Sequence, residues 1–180
     1  MVRVTSDLEA SIEDHFDVNG SSFEFFYEQQ RRPLIALAYA VSGSRIAAED
    51  LAQEALVAAF EAWDQIAGKD NPGTWVRRIL LNKAASAHRR RLTELKAVAR
   101  HRGDLPVAGF PEVTGEIDRI WGEVRRLPRR QVQVIALAHI DGLSQVEIAD
   151  TLGISKESVN THLRRARRTL TRALNIEETT

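Results

Sequence analysis

Residues 143–170 read LSQVEIADTLGISKESVNTHLRRARRTL. Ser144 is placed to cap a helix, and Glu147, three residues on, completes a capping box. Ile148, Ala149 and Leu152 then fall on one face. Gly153 stands where the helix must end in a left-handed turn, a conformation glycine takes without a Cβ penalty. Ser155 caps a second helix whose apolar residues Val159, Leu163, Ala166 and Leu170 recur at spacings of four, three and four. That is a single buried stripe. Facing outward are Lys156, Glu157, Ser158, Asn160, Thr161, Arg164, Arg165, Arg167 and Arg168: short polar side chains first, arginines afterwards. Two short helices, a glycine turn and a cationic second helix read as a helix-turn-helix. Its N-terminal side chains would face base edges, and the flanking cations would hold phosphates.

The chain has 180 residues and no cysteine, which excludes a disulfide framework and a thiolate zinc site. Its five histidines, His15, His88, His101, His139 and His162, show no metal-ligand spacing. No apolar run approaches the ~18 residues of a membrane span. The opening MVRVTSDLEASIEDHF is acidic and broken by charges, unlike a signal peptide. These features predict a soluble cytoplasmic protein with no metal or cofactor. Formal net charge is zero, yet the charges are sorted along the chain. Residues 1–70 hold 5 Lys/Arg against 13 Asp/Glu, and residues 71–102 hold 9 Lys/Arg against the single Glu94. The first block suits a basic protein partner and the second suits phosphates.

Glycine and proline punctuate the chain, and the periodicity between them is helical, which predicts an all-α fold. Phe23, Phe26, Tyr27, Leu34, Leu37, Ala38 and Val41 make one stripe, with Pro33 a kink or register break inside it. Leu51, Ala52, Ala55, Leu56, Ala59, Phe60, Trp63 and Ile66 make a second. After the loop Gly68–Gly73 a third helix starts near Thr74, carries Trp75, Val76, Ile79 and Leu80 inward, and ends at Arg89–Arg91. An acidic extension over 1–19 thus precedes a small helical bundle over 20–91. Gly103, Pro106, Gly109 and Pro111 mark an irregular, flexible linker over 92–113. A second bundle over 114–175 opens with Ile117, Ile120, Trp121, Val124 and Leu127 as its inward stripe. Pro128 then starts the next helix, and 176–180 form a tail.

An acidic-then-basic helical module followed by a helix-turn-helix module resembles the two-domain, extracytoplasmic-function type of bacterial RNA polymerase sigma factor, of the sigma-seventy family. The residues that carry the resemblance are AEDLAQEALVAAFEAW (48–63), NPGTWVRRILLN (71–82) with HRRR (88–91), and 127–170. The resemblance implies a promoter-specificity subunit, not an enzyme. It would bind core RNA polymerase and promoter DNA, with an anti-sigma factor as a further partner and no small-molecule substrate. Glu49, Asp50, Gln53 and Glu54, with Glu61 on the same outer surface, would dock on the polymerase. Lys69, Asp70 and Asn71 in the loop would form a pocket for an unstacked minus-ten base. Arg77, Arg78, Asn82, Lys83, Arg89 and Arg90 would line the opened strand, because base extrusion costs a few kcal/mol that such contacts offset. The family often has an acidic residue where this chain has Ser86. Lys156, Ser158, Asn160, Thr161, Arg164 and Arg165 would read the minus-thirty-five element.

Trp75 reads as core rather than as a stacking platform, and His162 as a packing residue rather than a phosphate donor. A linker extended at roughly 3.3 Å per residue would reach about 75 Å. Two promoter sites separated by two duplex turns lie about 70 Å apart. A stand-alone repressor, dimeric through its N-terminal bundle, would also explain the helix-turn-helix, but it leaves the basic block 71–102 without a task. A nucleic-acid enzyme would need clustered carboxylates, whereas the acids here share one outer helix face.

Overall fold

The computed structural model describes residues 22–102 and 115–174. The extension 1–19, the tail 176–180, residues 103–113 of the linker and the side chains of Arg91, Lys96, Arg100 and Arg102 lie outside the described residues. The rest is helical: α1 Phe23–Ser42, α2 Arg45–Glu61, α3 Trp63–Ile66, α4 Pro72–Arg102, α5 Glu116–Arg126, α6 Arg129–His139, α7 Gln145–Leu152 and α8 Lys156–Ala173.

Capping side chains set the borders of α1 and α2. Ser22 Oγ accepts from Phe25 N, Ser44 Oγ accepts from Ala47 N, and Gly43 between them turns left-handed at φ +71°. Pro33 stays inside α1, which continues as one helix on either side of it. Helix α2 buries Ala48, Ala52, Ala55 and Ala59 with Leu51 and Leu56. The small alanine faces let α1 and α4 approach closely. Leu34, Leu37, Val76, Leu80 and Leu81 fill the space between the three helices. Phe23, Phe26 and Trp63 close one end, with ring centroids 4.9 Å apart for Phe26–Trp63 and 5.3 Å for Phe23–Trp63.

Helix α4 departs from the sequence reading at both ends. It begins at Pro72, where Asn71 Oδ1 accepts from Thr74 N at 3.1 Å, rather than near Thr74. It also runs through to Arg102, so the border at 91 lies inside a helix. Eleven linker residues therefore rise only about 1.5 Å each. The remaining eleven would reach about 36 Å if extended, and the tether is correspondingly shorter than the all-extended figure.

In the second bundle α6 is central: Val132, Gln133, Val134, Ile135, Ala136 and Leu137 are all buried, as expected for a helix covered on every side. The helix-turn-helix forms with the caps its sequence demands. Glu147 N donates to Ser144 Oγ, and Ser144 N donates to Glu147 Oε2 at 2.8 Å. Gly153 takes φ +62°, and Ser155 Oγ accepts from Ser158 N. Val159, Leu163 and Ala166 are buried, and Leu170 is half-buried.

The two bundles are packed together, α1 against α5 and α6 and α4 against α7, and their buried residues form one continuous apolar cluster. Three stripe assignments fail. Phe60 is 62% exposed, Ile117 72% and Ile120 37%, although helical periodicity turns all three inward.

Candidate nucleic-acid interface

On α8 the residues nominated for upstream DNA lie along one outward strip. Lys156, Asn160, Arg164 and Arg165 are exposed, with Ser158 and Thr161 half-exposed beside them. Among the described residues none of the cations of this helix (Lys156, Arg164, Arg165, Arg167, Arg168 and Arg172) has an ion pair. Glu157, in the first turn, is held below the usual carboxylate range by backbone and Ser155 hydrogen bonds at the helix N-terminus. His162 is half-buried, and its Nδ1 has no partner among the described residues.

The downstream set is divided. Lys69, Asp70 and Asn71 project from the loop between α3 and α4 and are exposed, but Asn71 also spends its Oδ1 capping α4. Arg89 and Arg90 are exposed on the solvent side of α4, Arg89 donating to Ser86 Oγ. Trp75 is half-buried and packs on the apolar cluster. Lys83 is tied to α2 by an ion pair with Glu54 at 2.8 Å.

The other three, Arg77, Arg78 and Asn82, meet the second bundle. Arg77 Nε donates to Asp141 Oδ2 at 2.8 Å, with both side chains largely buried. Burial pushes the Asp141 carboxyl above its usual range, and the adjacent Arg77 guanidinium pulls it back down. Arg78 donates from Nε to Thr151 O at 2.9 Å and from Nη2 to Asp150 O. These carbonyls close α7, where the helix dipole is negative. Asn82 Oδ1 accepts from Arg129, whose guanidinium is pushed below its usual range by burial and by Arg130 and Arg89. Two contacts flank this row: Tyr39 OH donates to Asp118 at 3.0 Å, and Arg125 Nη1 donates to Ala40 O at 3.4 Å. The hydrogen bond to Asp118 raises the Tyr39 hydroxyl above its usual range. Residues 47 to 85 positions apart are joined here, and a one-dimensional pattern gives no sign of such pairings.

On the far side of α2, Glu49, Asp50, Gln53 and Glu54 are all exposed. Beside them lies a groove of about 550 Å³ between α1 and α2, lined by Phe23, Tyr27, Ile35, Leu56, Val57 and Phe60. The sequence reading missed this apolar floor because it assigned Phe60 to the core. Val57 and Phe60, both on this groove, are each at least half exposed, so α2 leaves large apolar side chains open to solvent beside its acidic row. Among the described residues no group of three or more His, Asp or Glu can hold a metal ion, and no helix is long and apolar enough to cross a membrane.

These two faces correspond to two known modules. Residues 26–93 match the family model for Sigma-70 region 2, and residues 117–170 match Sigma-70, region 4. The RNA polymerase sigma factor CnrH of Cupriavidus metallidurans is 33% identical over 142 residues, covering 72% of this chain and 74% of that relative. SigG of Mycobacterium tuberculosis, an ECF RNA polymerase sigma factor, is 29% identical over 194 residues. The chain belongs to the sigma-70 family, in its extracytoplasmic-function group. This sigma-70 family chain spans 93% of itself but only 52% of SigG in that match, about half the length of the relative. RpoE of Bartonella quintana, solved with the anti-sigma factor NepR, superposes with a TM-score of 0.69 at 25% identity, covering 87% of this chain and 98% of RpoE. CnrH solved with the cytosolic domain of CnrY shares the fold, with a TM-score of 0.64 at 24% identity and coverages of 89% and 92%.

Proposed function

We propose that this chain is a promoter-specificity factor. It binds core RNA polymerase through α2, reads a minus-thirty-five element with α8, and recognises and helps open a minus-ten element with the α3–α4 loop and α4. The observation that carries the reading is the division of labour between two surfaces of opposite character. One is the acidic row Glu49, Asp50, Gln53 and Glu54 beside an apolar groove; the other is the cationic strip of α8, which has no ion pair among the described residues. An acidic, apolar-floored face suits a basic protein partner, and a recognition helix rich in outward arginine suits the major groove.

The chain supplies no bond-making chemistry in this reading, and phosphodiester synthesis belongs to the polymerase. Loop residues Lys69, Asp70 and Asn71 receive an unstacked base. Arg77, Arg78, Asn82, Lys83, Arg89 and Arg90 follow the separated strand by charge and hydrogen bonding. Lys156, Ser158, Asn160, Thr161, Arg164 and Arg165 engage the upstream duplex. An anti-sigma protein is a further partner of this chain, in keeping with the partner of RpoE. The chain works in the cytoplasm, where polymerase and template are.

In vitro transcription with purified core polymerase across a promoter library tests the reading. Transcripts confined to a subset of promoters, each with permanganate-reactive thymines near the start site, are expected. Transcription no different from core alone would overturn it.

A further inference from the structure

Where the two bundles meet, residues of α1, α4, α5 and α6 line a cavity of about 320 Å³. Its floor is apolar: Leu81, Leu127 and Val132 are buried, with Val41 and Ala85 half-buried beside them. Its other side chains are cationic, His88 and Arg89 from α4, Arg125 from α5 and Arg129 from α6. Among the described residues no Asp or Glu lines it. We propose that this cavity binds a single-chain anionic amphiphile, its carboxylate or phosphate head on the guanidiniums and its alkyl chain on the floor. The site shares only Arg89 with the residues nominated for DNA.

The cations gather without an acid to balance them. Arg89 donates to Ser86 Oγ and Arg129 to Asn82 Oδ1, both neutral groups, and neither arginine has an ion pair among the described residues. Burial, and then Arg130 and Arg89, hold the Arg129 guanidinium below its usual range. Arg125 is placed differently: it is buried, donates to Ala40 O and lies in the field of Asp118. Arg89 and Arg129, both exposed at the mouth, are therefore the pair that receives the head group. An anion between them relieves their repulsion, and its charge-assisted hydrogen bonds are about twice as strong as the neutral ones they make now.

Volume and floor decide what carries the anion. A bare phosphate gains nothing from Leu81, Leu127 and Val132. One turn of a helix, about 10 Å across and about 5.4 Å tall, fills roughly 400 Å³, more than the cavity holds. A short alkyl chain is thin enough, and each methylene moved from water onto such a floor tightens binding about fourfold. Because the walls come from both bundles, an occupant binds while they are in contact and stabilises that contact by its own binding energy.

Isothermal titration calorimetry of the full chain with decanoate, kept below micelle formation, tests the site. Saturation at one decanoate per chain is expected, with affinity rising about fourfold per methylene from hexanoate upward. Decyl phosphate beside decanoate tells a phosphate ligand from a carboxylate one. Arg129→Gln, at an exposed position, should weaken decanoate about tenfold and leave decanol, the same chain without charge, unchanged. Ala85→Phe, which fills the cavity, should abolish binding of both, with circular dichroism reporting whether the variant is folded. Binding that does not saturate, or a decanoate affinity indifferent to Arg129→Gln, would overturn the proposal. Decanoate binding retained by a folded Ala85→Phe would do the same. So would inorganic phosphate binding as tightly as decanoate, because the arginines would then serve phosphate and the floor nothing.

Discussion

Lys83 Nζ lies 2.8 Å from Glu54 Oε2, so a cation nominated for the template and a carboxylate nominated for the polymerase neutralise one another across α4 and α2. The pair is half-exposed on both sides, and exposed pairs contribute about 0–1 kcal/mol. It also separates two kinds of docking variant. Asp50→Lys removes a charge without an ion-pair partner among the described residues and should weaken association with core polymerase while leaving the melting temperature unchanged. Glu54→Lys should weaken association and also lower the melting temperature slightly, because it sets two ammonium groups side by side. Titration of labelled protein with core polymerase, beside a thermal scan, checks both. Unchanged affinity in Asp50→Lys would remove α2 from the interface.

Arg164→Ala and Arg165→Ala should each lower affinity for upstream duplex and flatten its salt dependence. Every phosphate that a variant no longer neutralises lowers the slope of log K against log salt by about 0.9. Holoenzyme binding to a duplex, measured at several potassium concentrations, reads both effects. An unchanged slope would mean that these guanidiniums do not meet phosphate.

Gly43→Ala should cost about 2 kcal/mol of stability. Its φ of +71° alone costs a residue with a side chain about 1–2 kcal/mol. A Cβ there would also come within 2.7 Å of Arg125 Nε, in the buried contact between α1 and α5. Chemical denaturation measures the loss. A variant as stable as the parent would show that α1 and α5 do not approach this closely.

Acid should loosen the helix-turn-helix through its cap. Hydrogen bonds from Ser144 hold the Glu147 carboxyl below its usual range, so the folded state prefers the ionised group. That contribution is complete above the ordinary carboxylate pKa and is lost as pH falls through the lower, folded value. Glu147→Gln should therefore flatten the acid limb of the melting temperature against pH, with little change at neutral pH. An identical acid limb in parent and variant would contradict the capping box.

Leu37→Ala should cost about 2–5 kcal/mol, since Leu37 is wholly buried between α1 and its neighbours and truncation leaves a cavity. Urea unfolding supplies the number. A loss well under 1 kcal/mol would place Leu37 outside the core.

What the sequence made legible was local. Ser144, Glu147, Gly153 and Ser155 act on groups within a few residues, so the helix-turn-helix could be read from spacing alone. Asn71 before Pro72 was also a cap signal, but its place in a polar loop drew it into a binding role instead. Residues 92–102 hold neither glycine nor proline, and α4 continues through them although the apolar stripe has faded. Phe60, Ile117 and Ile120 keep core spacing yet are exposed, because periodicity identifies an apolar face without saying what covers it. The pairings of Arg77, Arg78 and Asn82 depend on how the two bundles pack, and helical periodicity is silent on that.

Sedimentation of the purified protein with core polymerase tests the central claim most directly. The account predicts a one-to-one complex that binds promoter DNA, with the protein alone remaining a monomer. A protein that ignores core polymerase and occupies duplex DNA as a symmetric homodimer would contradict it.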